Sequence, residues 1–276
     1  MTSPTLNNNV LMRTREKRAV REFRPKLWLD GRSGIGVANG EAVPAWTSRD
    51  ATHHAFAQET AGSQPTYTAA TKSVTFAGTD DYLTKATPTL TGTTTGRISI
   101  TCSTSVTNAA QVLYSQADEA GSTAYCQVGI SAANVMSYEF RNGAGAAVTL
   151  VGNLTLGTGM HLLEWATDGS KIYMWVDHSP QTIAGTNTTG SWFGDVTGAD
   201  NSTIGCKVDS TGVVSPLTGT IAEIVALEPD DTALNADRLR RQLGRLGSVT
   251  IETGIAFLLA DGTGFMLADG TGLLKG

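Results

Sequence analysis

The side chains with most chemistry to offer are spaced against catalysis. Asp80 and Asp81 are adjacent, and adjacent side chains on a strand point to opposite faces, so they cannot flank one glycosidic bond as a pair of acids must. They are expected in a turn before Tyr82, with Asp80 accepting from backbone amides. No E-x-D-x-E run occurs anywhere in the chain. His53, His54 and His161 lack the HExxH type of ligand spacing. Ser33 lies in GRSGIG, which lacks the glycine pattern of a nucleophile elbow, and Gly34-x-Gly36 has no glycine three residues on. Catalytic residues are therefore read as none. Asp195, Asp200 and Asp209 fall in expected loops and carry the hard oxygens that Ca²⁺ takes, without EF-hand spacing.

Aromatic and basic residues point to binding instead. Trp192 stands in TGSWFGD, an expected loop, where an exposed indole would make a stacking platform for a sugar ring. Trp46 is read as a plug at the end of a sandwich, and Trp28, Trp165 and Trp175 as core or core edge. Residues 1–24 carry Arg13, Arg15, Lys17, Arg18, Arg21 and Arg24 against Glu16 and Glu22, so this arm is +4 and the remainder −9. Such an arm binds nucleic acid, lies on an acidic protein surface, or is a solvated tail. The lack of interleaved aromatics weighs against nucleic acid.

These residues need elements to hold them, and the signals are β. Residues 159–178, GMHLLEWATDGSKIYMWVDH, read as a hairpin folded at Asp168-Gly169. His161, Leu163 and Trp165 share one face, and Ile172, Met174 and Val176 alternate with Tyr173 and Trp175. Further strands are read at KLWLD, EAVPAW, SVTFAGTDDYL (73–83), RISITCST, AQVLYSQ, AYCQVGI, VMSYEF, AAVTLVG, NSTIGCK (201–207) and LTGTIAEIVAL. Many short strands punctuated by turns predict a sandwich or barrel. One helix is expected at Leu234–Leu246, with leucines on one side and arginines on the other. FLLADGTG is followed directly by FMLADGTG and a partial third copy. Units this small cannot bury their own apolar residues, so they should pair as a β-meander against the sandwich or other subunits.

Composition agrees. Charged residues are 16% of the 276, against roughly 25% in an average soluble protein, and 31 are glycine. Three well-separated cysteines argue against a disulfide framework or a CxxC zinc module. No apolar run follows the basic start as a signal peptide would require, and none is long enough to span a bilayer. The expected division is an arm (1–24), a sandwich (25–247) and a C-terminal β-repeat (248–276).

The order LWLD, Trp46 before Ser-Arg-Asp, QPTY, VTFAGTDDYL, HLLEWATDGSKIYMWVD, Ile204-Gly205, LTGTIAEIVAL and RQLGRLG resembles the concanavalin A-like, laminin-G-type jelly-roll domains of tailed-phage virion proteins. The loop GRSGIGVANG departs from those relatives in being shorter and richer in glycine. The resemblance implies an all-β, two-sheet jelly-roll sandwich and a non-enzymatic structural role as a capsid decoration, head-fibre or tail-fibre protein. It implies assembly in a host cytoplasm, residence in the virion, attachment to a major capsid or other virion protein through the arm, and association as a trimer. It also makes Ca²⁺ at a sandwich rim thinkable, with no other cofactor. The alternative is a module binding a host-surface polysaccharide, with Trp192 in its site. A cryptic glycosidase is the third reading.

Overall fold

The computed structural model describes residues 24–105 and 108–227, together with the backbone of three short strands between 257 and 274. In the first part of the chain the strands are β1 (Leu27–Asp30), β2 (Ala45–Thr47), β3 (Ala55–Ala57), β4 (Thr66–Thr68), β5 (Ser73–Ala77), β6 (Leu83–Lys85) and β7 (Gly96–Thr104). Then come β8 (Gln111–Ala117), β9 (Ala124–Ile130), β10 (Val135–Asn142), β11 (Val148–Thr155), β12 (His161–Thr167), β13 (Ile172–Val176) and β14 (Ser179–Pro180). The described body ends with β15 (Asn201–Ile204), β16 (Lys207–Asp209), β17 (Gly212–Val214) and β18 (Thr218–Leu227).

These strands form an all-β, two-sheet jelly-roll sandwich of concanavalin A-like type. The first sheet runs β14-β13-β12-β7-β18-β5-β4, with β1 also paired to β18, and the second runs β11-β10-β9-β8-β15-β6-β3-β2. Alternation decides what lies between them. Ile98, Ile100, Leu163 and Trp165 from the first sheet meet Val128, Met136 and Tyr138 from the second, all buried. The Trp165 indole N–H crosses the core to donate to the Ser137 carbonyl at 3.0 Å, so this tryptophan is satisfied between the sheets. Beside β11, Val151 and Ala184 exchange backbone hydrogen bonds of 3.1 and 2.9 Å, closing one flank.

The expected hairpin is β12 and β13, in register from Thr167↔Ile172 to Leu163↔Val176. Its turn is a four-residue loop, 168–171, rather than a two-residue reversal at Asp168-Gly169. The loop holds because Asp168 Oδ1 accepts from the Ser170 and Lys171 amides and the Ser170 hydroxyl at 2.8, 3.0 and 2.7 Å.

Two stretches read as single strands break where packing requires it. SVTFAGTDDYL leaves the first sheet at Ala77 and enters the second at Leu83. Asp81, buried, accepts the Ala77 amide at 2.8 Å, whereas Asp80 takes the Ser63 and Thr79 hydroxyls. The turn is as expected, but Asp81 rather than Asp80 holds the backbone. NSTIGCK divides at Gly205, whose φ of +84° leads the chain past the Phe76 ring. A Cβ there would lie 2.5 Å from that ring, so only glycine fits.

The repeat forms a three-stranded antiparallel meander of β19 (Phe257–Leu258), β20 (Phe265–Met266) and β21 (Leu273–Leu274). The expected helix at Leu234–Leu246 lies outside the described residues. So do Arg13, Arg15, Lys17, Arg18 and Arg21; Arg24 is described and is exposed.

Candidate functional site

The outer face of the second sheet presents an open, polar row. Along β10, Met136, Tyr138 and Phe140 turn into the core, while Ser137, Glu139 and Arg141 stand outward and half-buried. On β9, Gly129, Gln127 and Tyr125 lie opposite those three, and on β11 Thr149 lies opposite Glu139. Through Ser115 and Thr203 the row continues across β8 and β15, where it is buried, the two hydroxyls 2.7 Å apart and both donating to the Cys206 carbonyl. Register alone has therefore set Thr203, Ser115, Gln127, Glu139 and Thr149 side by side.

Glu139 is the centre of this row. Its Oε1 accepts the Tyr125 hydroxyl and its Oε2 accepts Gln127 Nε2 at 3.0 Å, which fixes the carboxylate while leaving each oxygen capacity for another donor. Burial, together with this bond to Glu139, pushes the Tyr125 phenol well above its ordinary pKa, so it stays a donor at any ordinary pH. Arg141 donates Nε to the Gly145 carbonyl at 3.1 Å, leaving its two terminal amino groups to a ligand. On one strand the face thus offers a hydroxyl, an anchored carboxylate and a guanidinium, each about 7 Å from the next.

The β16–β17 hairpin walls one side. Lys207 Nζ sits 3.8 Å from the Tyr125 ring centroid and 2.8 Å from Asp209 Oδ2. Asp209 also accepts from the Thr211 amide and hydroxyl at 2.8 and 2.5 Å. Burial works to raise its pKa, but the bonds from Lys207 and Thr211 outweigh it and hold the carboxyl below its ordinary value. Tyr125 is thereby clamped between a cation and the acid it supports.

The residues singled out in the sequence are dispersed. Trp192 is in a loop as expected, yet only 2% exposed. Its ring stacks on Tyr138 with centroids 6.2 Å apart and meets Phe193 edge-on at 5.0 Å, which leaves no face for a sugar. It plugs the mouth between the sheets, where the Gly190 carbonyl accepts from the Thr167 hydroxyl at 2.7 Å. Trp46, expected as the plug, is a fully buried residue of β2.

Asp195 Oδ2 accepts the Trp192 amide at 2.7 Å, Asp200 Oδ1 accepts the Glu119 amide at 2.8 Å, and Asp209 serves its own hairpin. Each carboxylate is committed to its local loop. Among the described residues no group of three or more His, Cys, Asp and Glu is placed to hold a metal. Ser33 accepts from Arg49 at 2.7 Å, and His161 Nδ1 lies 2.7 Å from Asp177 Oδ2.

The sequence reading missed Glu139 and Arg141, although the alternation of Ser, Glu and Arg with Met, Tyr and Phe in VMSYEFR was the available signal. It also missed a carboxylate pair. Asp30 and Glu223 are directly opposite on β1 and β18, and both are at most 2% exposed. Asp30 binds Arg32 and Arg49 at 2.8 and 2.9 Å, while Glu223 accepts the Trp28 indole N–H at 2.8 Å. Burial, then the charge of Asp30, push the Glu223 carboxyl up to about 8. The two carboxyls face each other across the strands, but they are sealed from solvent.

No protein-family profile matches the chain, and no curated protein matches it. Among solved structures it is similar to Trypanosoma rangeli sialidase in complex with 2,3-difluoro-KDN, at 11% identity, covering 80% of this chain and 33% of that one, with a TM-score of 0.53. It is also similar to a leech intramolecular trans-sialidase complexed with 2,7-anhydro-Neu5Ac, at 18% identity, covering 69% of this chain and 29% of that one, with a TM-score of 0.51. A shorter match is the CBM40 of Ruminococcus gnavus IT-sialidase bound to alpha2,3 sialyllactose, at 21% identity over 50% of this chain and 80% of that one, with a TM-score of 0.45. The chain spans about a third of the length of the two sialidases. At such identities the likeness is one of fold, a β-sandwich.

Proposed function

We propose that this chain is a non-enzymatic carbohydrate-binding sandwich whose ligand lies along β10 on the outer face of the second sheet. The observation that carries this is Glu139, a carboxylate fixed by two neutral donors on a reachable surface, with Ser137 and Arg141 in line with it. Vicinal hydroxyls of a sugar donate to an anchored carboxylate and accept from a guanidinium, and a rigid sheet offers both without reordering.

The test is a glycan array probed with the full chain, Glu139→Gln and Arg141→Ala. Retention of a defined glycan set, weakened roughly tenfold or more by either substitution, is expected from the loss of one charge-assisted contact. Retention indifferent to both substitutions, or none at all by the unaltered chain, overturns the reading.

A second reading concerns where the sandwich is displayed, and the pairing of β19, β20 and β21 favours it. A three-stranded sheet has two open edges, and strands from further copies of the chain would continue it. In this reading a homotrimer is carried on a virion, as head decoration or fibre, anchored through the arginines of the arm. Replacing Arg13, Arg15, Arg18 and Arg21 together by Ala should abolish co-sedimentation with shells stripped of the protein. Unchanged occupancy would rule the anchor out. Display and sugar binding are compatible.

A further inference from the structure

The outer face of the first sheet carries an aromatic pair on β13, a ledge at least three strands from the sealed carboxylates of β1 and β18. On β13, Ile172, Met174 and Val176 enter the core, and Tyr173 and Trp175 stand on the other side. Tyr173 is 40% exposed, the most exposed Phe, Tyr or Trp side chain among the described residues.

Its setting is rigid. The Tyr173 and Trp175 rings lie 6.1 Å apart between centroids and within 25° of parallel, stacked, so Trp175 backs the Tyr173 ring. The Tyr173 hydroxyl donates to Asp168 Oδ2 at 2.8 Å, and Asp168 Oδ1 is held by the Ser170 and Lys171 amides. Arg97 lies over the Trp175 ring at 5.1 Å. Asn187 brackets β13 by accepting the Ile172 amide at 2.8 Å and donating to its carbonyl at 2.7 Å. A ring fixed at its hydroxyl end and flanked by a second ring gives up little conformational entropy when a ligand stacks on it.

We propose that this ledge is a second sugar-contact surface, taking the apolar C–H face of a pyranose ring on Tyr173, with Asp168 accepting from a hydroxyl at the ring's edge. The inference rests on the reading of this chain as carbohydrate-binding and adds a second face to it. Glycan would then be held on both outer faces of the sandwich, so that one molecule bridges two chains or two stretches of one chain, with avidity set by their spacing.

The test is a pull-down of the full chain on insoluble cellulose, chitin, galactan and mannan, with Tyr173→Ala, Tyr173→Phe, Glu139→Gln and the Tyr173→Ala, Glu139→Gln double variant. Tyr173→Ala is expected to lower retention on at least one of them about tenfold, and Tyr173→Phe, which keeps the ring, less than about threefold. Tyr173 is exposed, so the thermal midpoint of each variant should stay near that of the parent and serves as the folding control. If Tyr173→Ala retains as the parent does while Glu139→Gln does not, the ledge is overturned and the first site stands. A loss confined to Tyr173→Ala supports the ledge and overturns the Glu139 site. An unaltered chain that adheres to none of the four overturns the ledge, whatever the glycan array returns for Glu139.

Discussion

The two outer faces of the sandwich are built on the same alternation, yet the first is sealed across β1, β12 and β18 where the second is open across β9, β10 and β11. On the first sheet Trp28, Leu162, Glu164, Glu223, Val225 and Leu227 all point away from the core, and none is more than 5% exposed. On the second, Gln127, Ser137, Glu139 and Arg141 are half-buried and Thr149 is exposed. Acids occur on both. Glu164 is fully buried, accepting from Arg97 at 3.2 Å and Ser99 at 3.3 Å, whereas Glu139 is held by neutral donors and stays reachable. An acid on the sealed face is thus a stability group, and an acid on the open face is a ligand group. Period-two patterning assigns residues to faces, but the kind of partner each acid has decides which role it plays.

The largest effect that would sharpen this contrast is Arg97→Ala. It removes one charged partner, at 3.2 Å, from the buried Glu164 carboxylate, which keeps its other contacts, and a hydrogen bond to a charged group contributes about 1.5–3 kcal/mol. Urea unfolding should show the midpoint falling accordingly at unchanged slope. A loss below about 1 kcal/mol would mean that the Arg97–Glu164 pair is not what holds this sealed acid.

Glu223 gives the next effect, as a pH dependence. Its folded pKa of about 8 lies above the ordinary glutamate value of 4.5. Between the two the unfolded chain has released this proton and the folded chain keeps it, so unfolding free energy falls as pH rises. The contribution is complete below about 4.5 and gone above about 8, and amounts to a few kcal/mol in all. Glu223→Gln should flatten that slope between about pH 5 and 8. An unchanged slope would show that the carboxyl is ionised throughout.

A smaller effect belongs to His161, whose pKa is raised first by its hydrogen bond to Asp177. The stability this pair contributes is complete below the ordinary imidazole value and is lost as pH rises through the higher folded value. In Asp177→Asn the His161 ring resonances should titrate at lower pH than in the parent. Coincident titration curves would refute the coupling.

Much of the fold was legible because strand alternation is a local signal. RISITCST, AYCQVGI and LTGTIAEIVAL fall within a residue or two of β7, β9 and β18. Boundaries failed where a distant contact decides, as at Gly205 against Phe76 and at Ala77, where the chain changes sheets. The two- and three-residue strands β3, β4, β14 and β17 are too short to show a period. Trp192 misled because TGSWFGD has the composition of an exposed loop, while the loop itself folds inward between the sheets. Glu139 was visible as an outward position of VMSYEFR, but its two supports come from β9, and pairing between strands is not written in either strand alone.

The smallest stability effect is expected at the residue with the largest effect on binding. Glu139→Gln keeps the shape of the side chain and one carbonyl oxygen, which continues to accept the Tyr125 hydroxyl. The new amide N–H₂ would face the Gln127 amide N–H₂, two donors together. Gln127 Oε1, buried and without a partner in the parent, becomes an acceptor for it once the Gln127 amide turns over. One bond is exchanged for another, and the change in unfolding free energy should stay within about 0.5 kcal/mol. The charge, however, is gone, and with it the stronger pull on a ligand hydroxyl. A variant as stable as its parent that still holds glycan as the parent does would show that the open face is merely solvated. One that loses several kcal/mol would place Glu139 among the sealed acids of the other sheet.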